Sequence, residues 1–78
     1  MKVDKTFKWI GIDKDGTACL FDKEPFWSEE TIWLNHSKMQ GLSNAAFSAL
    51  ANAEEFKPGQ LYKIDYENKC FVLVEEKL

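Results

Sequence analysis

Three sets of residues in this chain are of types that do chemistry. The first is Asp13-Lys14-Asp15-Gly16, two carboxylates one residue apart before a glycine, which resembles part of a calcium-binding loop. Laid on an EF-hand loop, Asp13 and Asp15 take positions 3 and 5 and Gly16 position 6. Position 1 is then Gly11 and position 12 is Asp22, so the first Asp and the bidentate Glu are both missing. A turn accounts for the same residues, because Asp and Gly favour turns for backbone reasons alone.

The second set is Cys19, Cys70 and the lone His36. A cysteine–histidine nucleophile pair would need His36 beside one thiol, and both cysteines sit in apolar, strand-like surroundings where thiols are usually inert. One His and two distant Cys also lack the close ligand pair that a metal site needs, so no metal and no cofactor is expected. The third set is the adjacent carboxylate pairs Glu29-Glu30 and Glu54-Glu55. Neighbouring side chains diverge on a helix or a strand, so these read as solvated faces rather than as a paired acid and base. The four glycines are isolated, which removes a phosphate-cradling loop. No catalytic residue is expected, and the chain reads as a non-enzyme.

Binding chemistry is better represented. In residues 22–34, Asp22, Glu24, Glu29 and Glu30 surround Phe26, Trp27 and Trp33. Large aromatics ringed by charge are what protein-binding surfaces use as anchors. The candidate partner-binding residues are therefore Phe26, Trp27, Glu29, Glu30 and Trp33. The plainer use of the same aromatics is to complete a small core, since so short a chain needs its aromatics inside.

The elements that must position these residues follow from local pattern. Residues 6–12 are rich in β-branched and aromatic types and read as a strand, the Asp13–Gly16 turn closes a hairpin with a bulge, and residues 17–22 give the return strand. Pro25 then breaks regularity. Ser28 could cap a short helix with Trp27 and Ile32 as its staple, but Thr31-Ile32-Trp33-Leu34 has strand composition, and a short third strand at 31–34 is favoured. Residues 35–41 read as a polar connection. Ser43 is the N-cap of a helix over 44–56, stapled by Leu42 and Phe47, with five alanines on its body and a stop at Lys57-Pro58-Gly59. Residues 61–65 and 70–74 pair across a turn at Glu67-Asn68, and 75–78 read as a solvated tail. The expected fold is α+β: an antiparallel sheet of four to five strands with one helix packed on a face, in the order β-β-(β)-α-β-β.

Bulk composition bounds the rest. Seventy-eight residues make one domain, 1–78, and 45% apolar and 14% aromatic content is too much for a disordered chain. The net charge is −3 and all ten basic residues are scattered lysines, with no Arg to read guanine or to clamp phosphate. Direct nucleic-acid binding is thus disfavoured. An acidic nucleic-acid mimic is allowed by the charge, and would need Asp22, Glu24, Glu29, Glu30, Glu54 and Glu55 on one face. No apolar run approaches a membrane span and no signal peptide is visible, so a cytoplasmic protein with free thiols is expected. The end strands of so small a sheet offer edges for a homodimer.

Residues 8–16, Lys-Trp-Ile-Gly-Ile-Asp-Lys-Asp-Gly, followed by Phe21-Asp22-Lys23-Glu24-Pro25, resemble the opening of short accessory proteins encoded by phages and prophages. Those begin with a Trp-containing strand, an Asp-rich Gly turn, a second strand and a charged segment ending in Pro. The resemblance covers about 25 residues. It implies an accessory protein of a mobile element acting in the host cytoplasm, a class that includes inhibitors of host defence such as anti-CRISPR proteins. The partner it implies is a host protein. No inhibitor motif is matched, so the resemblance brings no functional residue with it.

Overall fold

The computed structural model of the chain describes residues 3–51 and 56–78. Among the described residues, seven strands and one helix run in the order β1 (Trp9–Ile12), β2 (Ala18–Phe21), β3 (Phe26–Trp27), β4 (Trp33–Leu34), β5 (Met39–Gly41), α1 (Asn44–Ala51), β6 (Gln60–Asp65) and β7 (Cys70–Glu76). Five of the strands form one antiparallel sheet ordered β5-β2-β1-β6-β7, while β3 and β4 form a separate two-stranded ribbon.

Local chemistry builds the β1–β2 hairpin as expected. Gly16 N–H donates to Asp13 O at 2.9 Å and Asp13 N–H donates to Thr17 O at 2.8 Å. Gly16 carries φ of +90°, which a residue without a Cβ adopts freely. Asp15 Oδ1 accepts from Thr17 N–H at 2.9 Å, and those bonds hold its carboxyl below the usual range. The helix also starts where its cap predicts: Ser43 Oγ accepts from Ala46 N–H at 3.1 Å, and Leu42 and Phe47 both pack against the core. The helix is described as far as Ala51; the expected continuation over 52–55 lies outside the described residues. At the far end, Asp65 accepts from the backbone and side chain of Asn68, tightening the β6–β7 turn. Both cysteines are free, Cys19 buried and Cys70 half-buried. Burial, and then the Asp13 charge, push the Cys19 thiol up.

Four expectations are corrected. The first strand starts at Trp9 rather than at Thr6, because Asp4 folds residues 4–7 into a turn, accepting from Thr6 through its side chain and from Phe7 through its carbonyl. The third strand at 31–34 is only Trp33–Leu34, and it pairs with Phe26–Trp27 rather than joining the main sheet. The connection over 35–41 contains an edge strand, β5, because Met39, Gln40 and Gly41 find backbone partners in Phe21, Leu20 and Cys19. The tail is strand through Glu76, because Gln60 and Leu61 supply partners for Glu76 and Glu75.

Alternation along the strands divides the side chains between two faces. Ile10 and Ile12, Ala18 and Leu20, and Ile64 form one buried cluster, covered by Phe47 of the helix and by Phe56. Phe56 meets Phe47, Tyr62 and Phe71 with ring centroids 5.5, 4.6 and 5.1 Å apart. Cys19, Phe21 and Leu61 face the other way, and there the cover is Trp33. Trp33 is 1% exposed and sits on Gly11: a Cβ added to Gly11 would lie 2.7 Å from Trp33 Cγ. Among the described residues its indole N–H has no hydrogen-bond partner, so its contribution here is bulk rather than polarity.

Candidate interaction surface

The candidate residues lie in an excursion of residues 22–38 that leaves the sheet after β2 and returns at β5. Asp22 clasps its two ends. Its carboxylate accepts from Ser37 Oγ at 2.7 Å, Lys38 N–H at 2.9 Å and Asn35 Nδ2 at 3.2 Å, and its N–H donates to Lys38 O at 3.2 Å. The Ser37 hydroxyl foremost, with the Lys38 backbone and Asn35, holds the Asp22 carboxyl below the usual range.

Within the excursion, β3 and β4 are joined by a reverse turn. Ser28 N–H donates to Ile32 O at 2.9 Å and Thr31 N–H donates to Ser28 O at 3.0 Å. Thr31 occupies the left-handed region at φ +63°, an uncommon place for a β-branched residue. Two long-range bonds then pin the ribbon to the β1–β2 turn: Lys14 N–H donates to Thr31 O at 3.0 Å, and Asp13 Oδ1 accepts from Trp33 N–H at 2.8 Å. The Asp13 carboxyl is buried, and desolvation pushes its pKa above the usual value despite that bond. The supposed calcium-loop aspartate is thus a backbone acceptor that holds another segment.

The structure divides the five candidate residues. Trp27 and Trp33 are cross-strand partners in edge-to-face contact at 5.1 Å; Trp33 is buried and Trp27 half-buried, so Trp33 offers no surface to a partner. Phe26, the neighbour of Trp27, points to the opposite face and is 45% exposed. Glu29 and Glu30 are exposed at the turn. The outer face thus brings together Phe26, its half-buried partner Leu34, and exposed His36, whose ring lies 5.3 Å from that of Phe26. Leu34 and His36 are contributors that composition alone did not single out. The signal for Leu34 was present: Phe26-Trp27 and Trp33-Leu34 flank Ser-Glu-Glu-Thr-Ile, a mostly polar run that fits a hairpin with one inward and one outward residue per strand, whereas no local pattern singles out His36.

The carboxylates are distributed over several environments. Glu24, Glu29 and Glu30 are exposed, Asp22 is engaged in closing the excursion, and Glu54 and Glu55 lie outside the described residues. Among the described residues no group of three His, Cys, Asp or Glu is placed to hold a metal ion, and no helix is long and apolar enough to cross a membrane. Comparison with protein-family models, with curated proteins and with solved structures returned no match.

Proposed function

We propose that this chain is a phage- or prophage-encoded accessory protein that acts by binding a host protein, in the manner of small inhibitors of host defence, rather than by catalysis. The observation that carries the reading is the outer face of the β3–β4 ribbon. Exposed Phe26, flanked by His36, shares with exposed Glu29 and Glu30 of the turn a ribbon held in place by buried Trp33 and the Asp13 bond. A rigid aromatic anchor with charge at its rim loses little conformational freedom on binding. The acidic rim suits a basic protein surface. The opening segment that resembles phage accessory proteins supports the same direction.

The test is affinity capture from lysates of bacterial hosts with the wild type and two variants, Phe26→Ala and Glu29→Lys/Glu30→Lys. The expected result is one host protein retained by the wild type and lost from both variants, while their thermal melting midpoints stay within a few degrees of the wild type. Retention that survives both substitutions, or no retained protein from any host, refutes the reading.

A further inference from the structure

The ribbon of β3 and β4 is joined to the sheet in a way that lets it move. Its base is closed on itself. Asp22 N–H donates to Lys38 O at 3.2 Å, and the Asp22 carboxylate accepts from Lys38 N–H at 2.9 Å and from Ser37 Oγ at 2.7 Å. The segment between these ends can swing without drawing on β2 or β5. Beyond the clasp, β3 and β4 pair with each other and with no strand of the main sheet. Among the described residues, two hydrogen bonds tie the ribbon to the β1–β2 turn: Lys14 N–H to Thr31 O and Trp33 N–H to Asp13 Oδ1. The rest of the attachment is apolar, with Trp33 and its neighbour Trp27 lying over Gly11, Cys19, Phe21 and Leu61.

The closed position is also held against opposing forces. Ser28 Oγ and Trp33 Nε1 are buried with no hydrogen-bond partner among the described residues, and both gain water when the ribbon lifts. Thr31 sits at φ +63°, in the left-handed region, and a free ribbon lets it leave. Trp33 lies on a residue without a Cβ, so it can withdraw from Gly11 without crossing a side chain there.

We propose that residues 23–37 form a hinged cover that opens as one unit while the five-stranded sheet stays folded, with the Asp22–Lys38 clasp as the hinge and Trp33 as the latch. The closed form withholds an apolar face made by Cys19, Phe21 and Leu61, together with Trp27 and Trp33 themselves. The open form bares it. Segments tied down by few bonds open locally at lower cost than the whole domain. The amides of Lys14 and Trp33 are freed with the cover. Those of Asp13, bonded to Thr17 O, and Ile64, bonded to Lys8 O, belong to the hairpin and the sheet. The buried Cys19 thiol lies beneath Trp33 and reports the same event. No partner takes part in this opening, so it stands or falls separately from host-protein binding.

The test is native-state hydrogen exchange of the full chain over a urea series, with thiol labelling of Cys19 in a Cys70→Ser chain. The Trp33 and Lys14 amides should be protected at least about tenfold less than those of Asp13 and Ile64, with a shallower urea dependence because less surface is exposed. Cys19 labelling should give the same opening constant as the Trp33 amide. Trp33→Ala should speed labelling at least about tenfold by removing the latch. Thr31→Gly should slow it about twofold to fivefold, since relief of strain favours the closed form. If far-UV circular dichroism shows that Trp33→Ala has unfolded, Thr31→Gly decides. Equal protection and equal urea slopes for the Trp33 and Ile64 amides would mean that the cover opens only when the domain unfolds, and would overturn the proposal. So would Cys19 labelling that keeps pace with Ile64 exchange, or labelling that does not slow in Thr31→Gly.

Discussion

Two hairpins in this molecule turn in the same way with different residues. In the first, Asp13 N–H bonds Thr17 O, Gly16 N–H bonds Asp13 O, and Gly16 takes φ +90°. In the second, Ser28 N–H bonds Ile32 O, Thr31 N–H bonds Ser28 O, and Thr31 takes φ +63°. The first turn has the residue its geometry demands. The second has a β-branched residue where glycine belongs, and its strands pair over two residues each. Such a short ribbon has little stability of its own. It exists because the first hairpin holds it, through Lys14 N–H to Thr31 O, Asp13 Oδ1 to Trp33 N–H, and Gly11 under the Trp33 ring. One hairpin is specified locally and the other by its neighbour.

Removing the tertiary anchor should break the dependent hairpin first. Trp33→Ala is expected to cost about 3–5 kcal/mol, against the roughly 4–12 kcal/mol that a domain of this size carries, read as a loss of urea midpoint. Near-ultraviolet circular dichroism should lose the Trp27–Trp33 signal at the same time. A cost near 1 kcal/mol would mean that the ribbon does not depend on its plug. Gly11→Ala pushes from the other side of the same contact and should cost about 1–3 kcal/mol. In the Trp33→Ala background that cost should largely vanish; equal costs in both backgrounds would show that Gly11 matters for a reason other than Trp33.

The turns themselves offer a reciprocal exchange. Gly16→Thr should destabilise by roughly 1–2 kcal/mol, the cost of a left-handed conformation for a residue with a Cβ. Thr31→Gly should stabilise by up to about 1 kcal/mol, since relief of the same strain is partly offset by the unfolded chain's greater freedom. Thermal midpoints moving in the same direction for both substitutions would refute the equivalence of the two turns.

The smallest effect concerns the link between the hairpins. Burial raises the Asp13 pKa in the folded state, so its contribution is most favourable below the unfolded value of 3.8 and is lost as pH rises through the folded value. Asp13→Asn keeps an acceptor for Trp33 N–H without the charge. The variant should therefore gain stability relative to wild type between pH 3 and pH 7, measured as the difference in urea midpoints at the two values. A difference that shrinks over that interval would show the charge itself to be stabilising. Asp4, Asp15, Asp22 and Asp65 are shifted in the opposite direction by hydrogen bonds, so wild type and variant should both lose stability in acid through those groups.

Sequence alone determined the elements whose causes are local. The Asp-Gly turn, the Ser43 cap and the β6–β7 hairpin all depend on residues within a few positions of one another, and each forms where its pattern places it. The candidate binding residues were legible as a group, because aromatic and acidic types cluster between 22 and 34. Tertiary structure alone decided how that group divides. Phe26 and Trp27 are neighbours in the chain with the same local propensity, yet one faces out and the other in because Trp33 has a hole to fill above Gly11, 22 positions away. Asp13 likewise carries the composition of a turn residue, and becomes a buried acceptor only because Trp33 N–H arrives beside it. Strand β5 has no strand signature and forms because β2 leaves an edge beside it. Each depends on a group supplied by a distant segment, and a window of local propensity contains no information about that group.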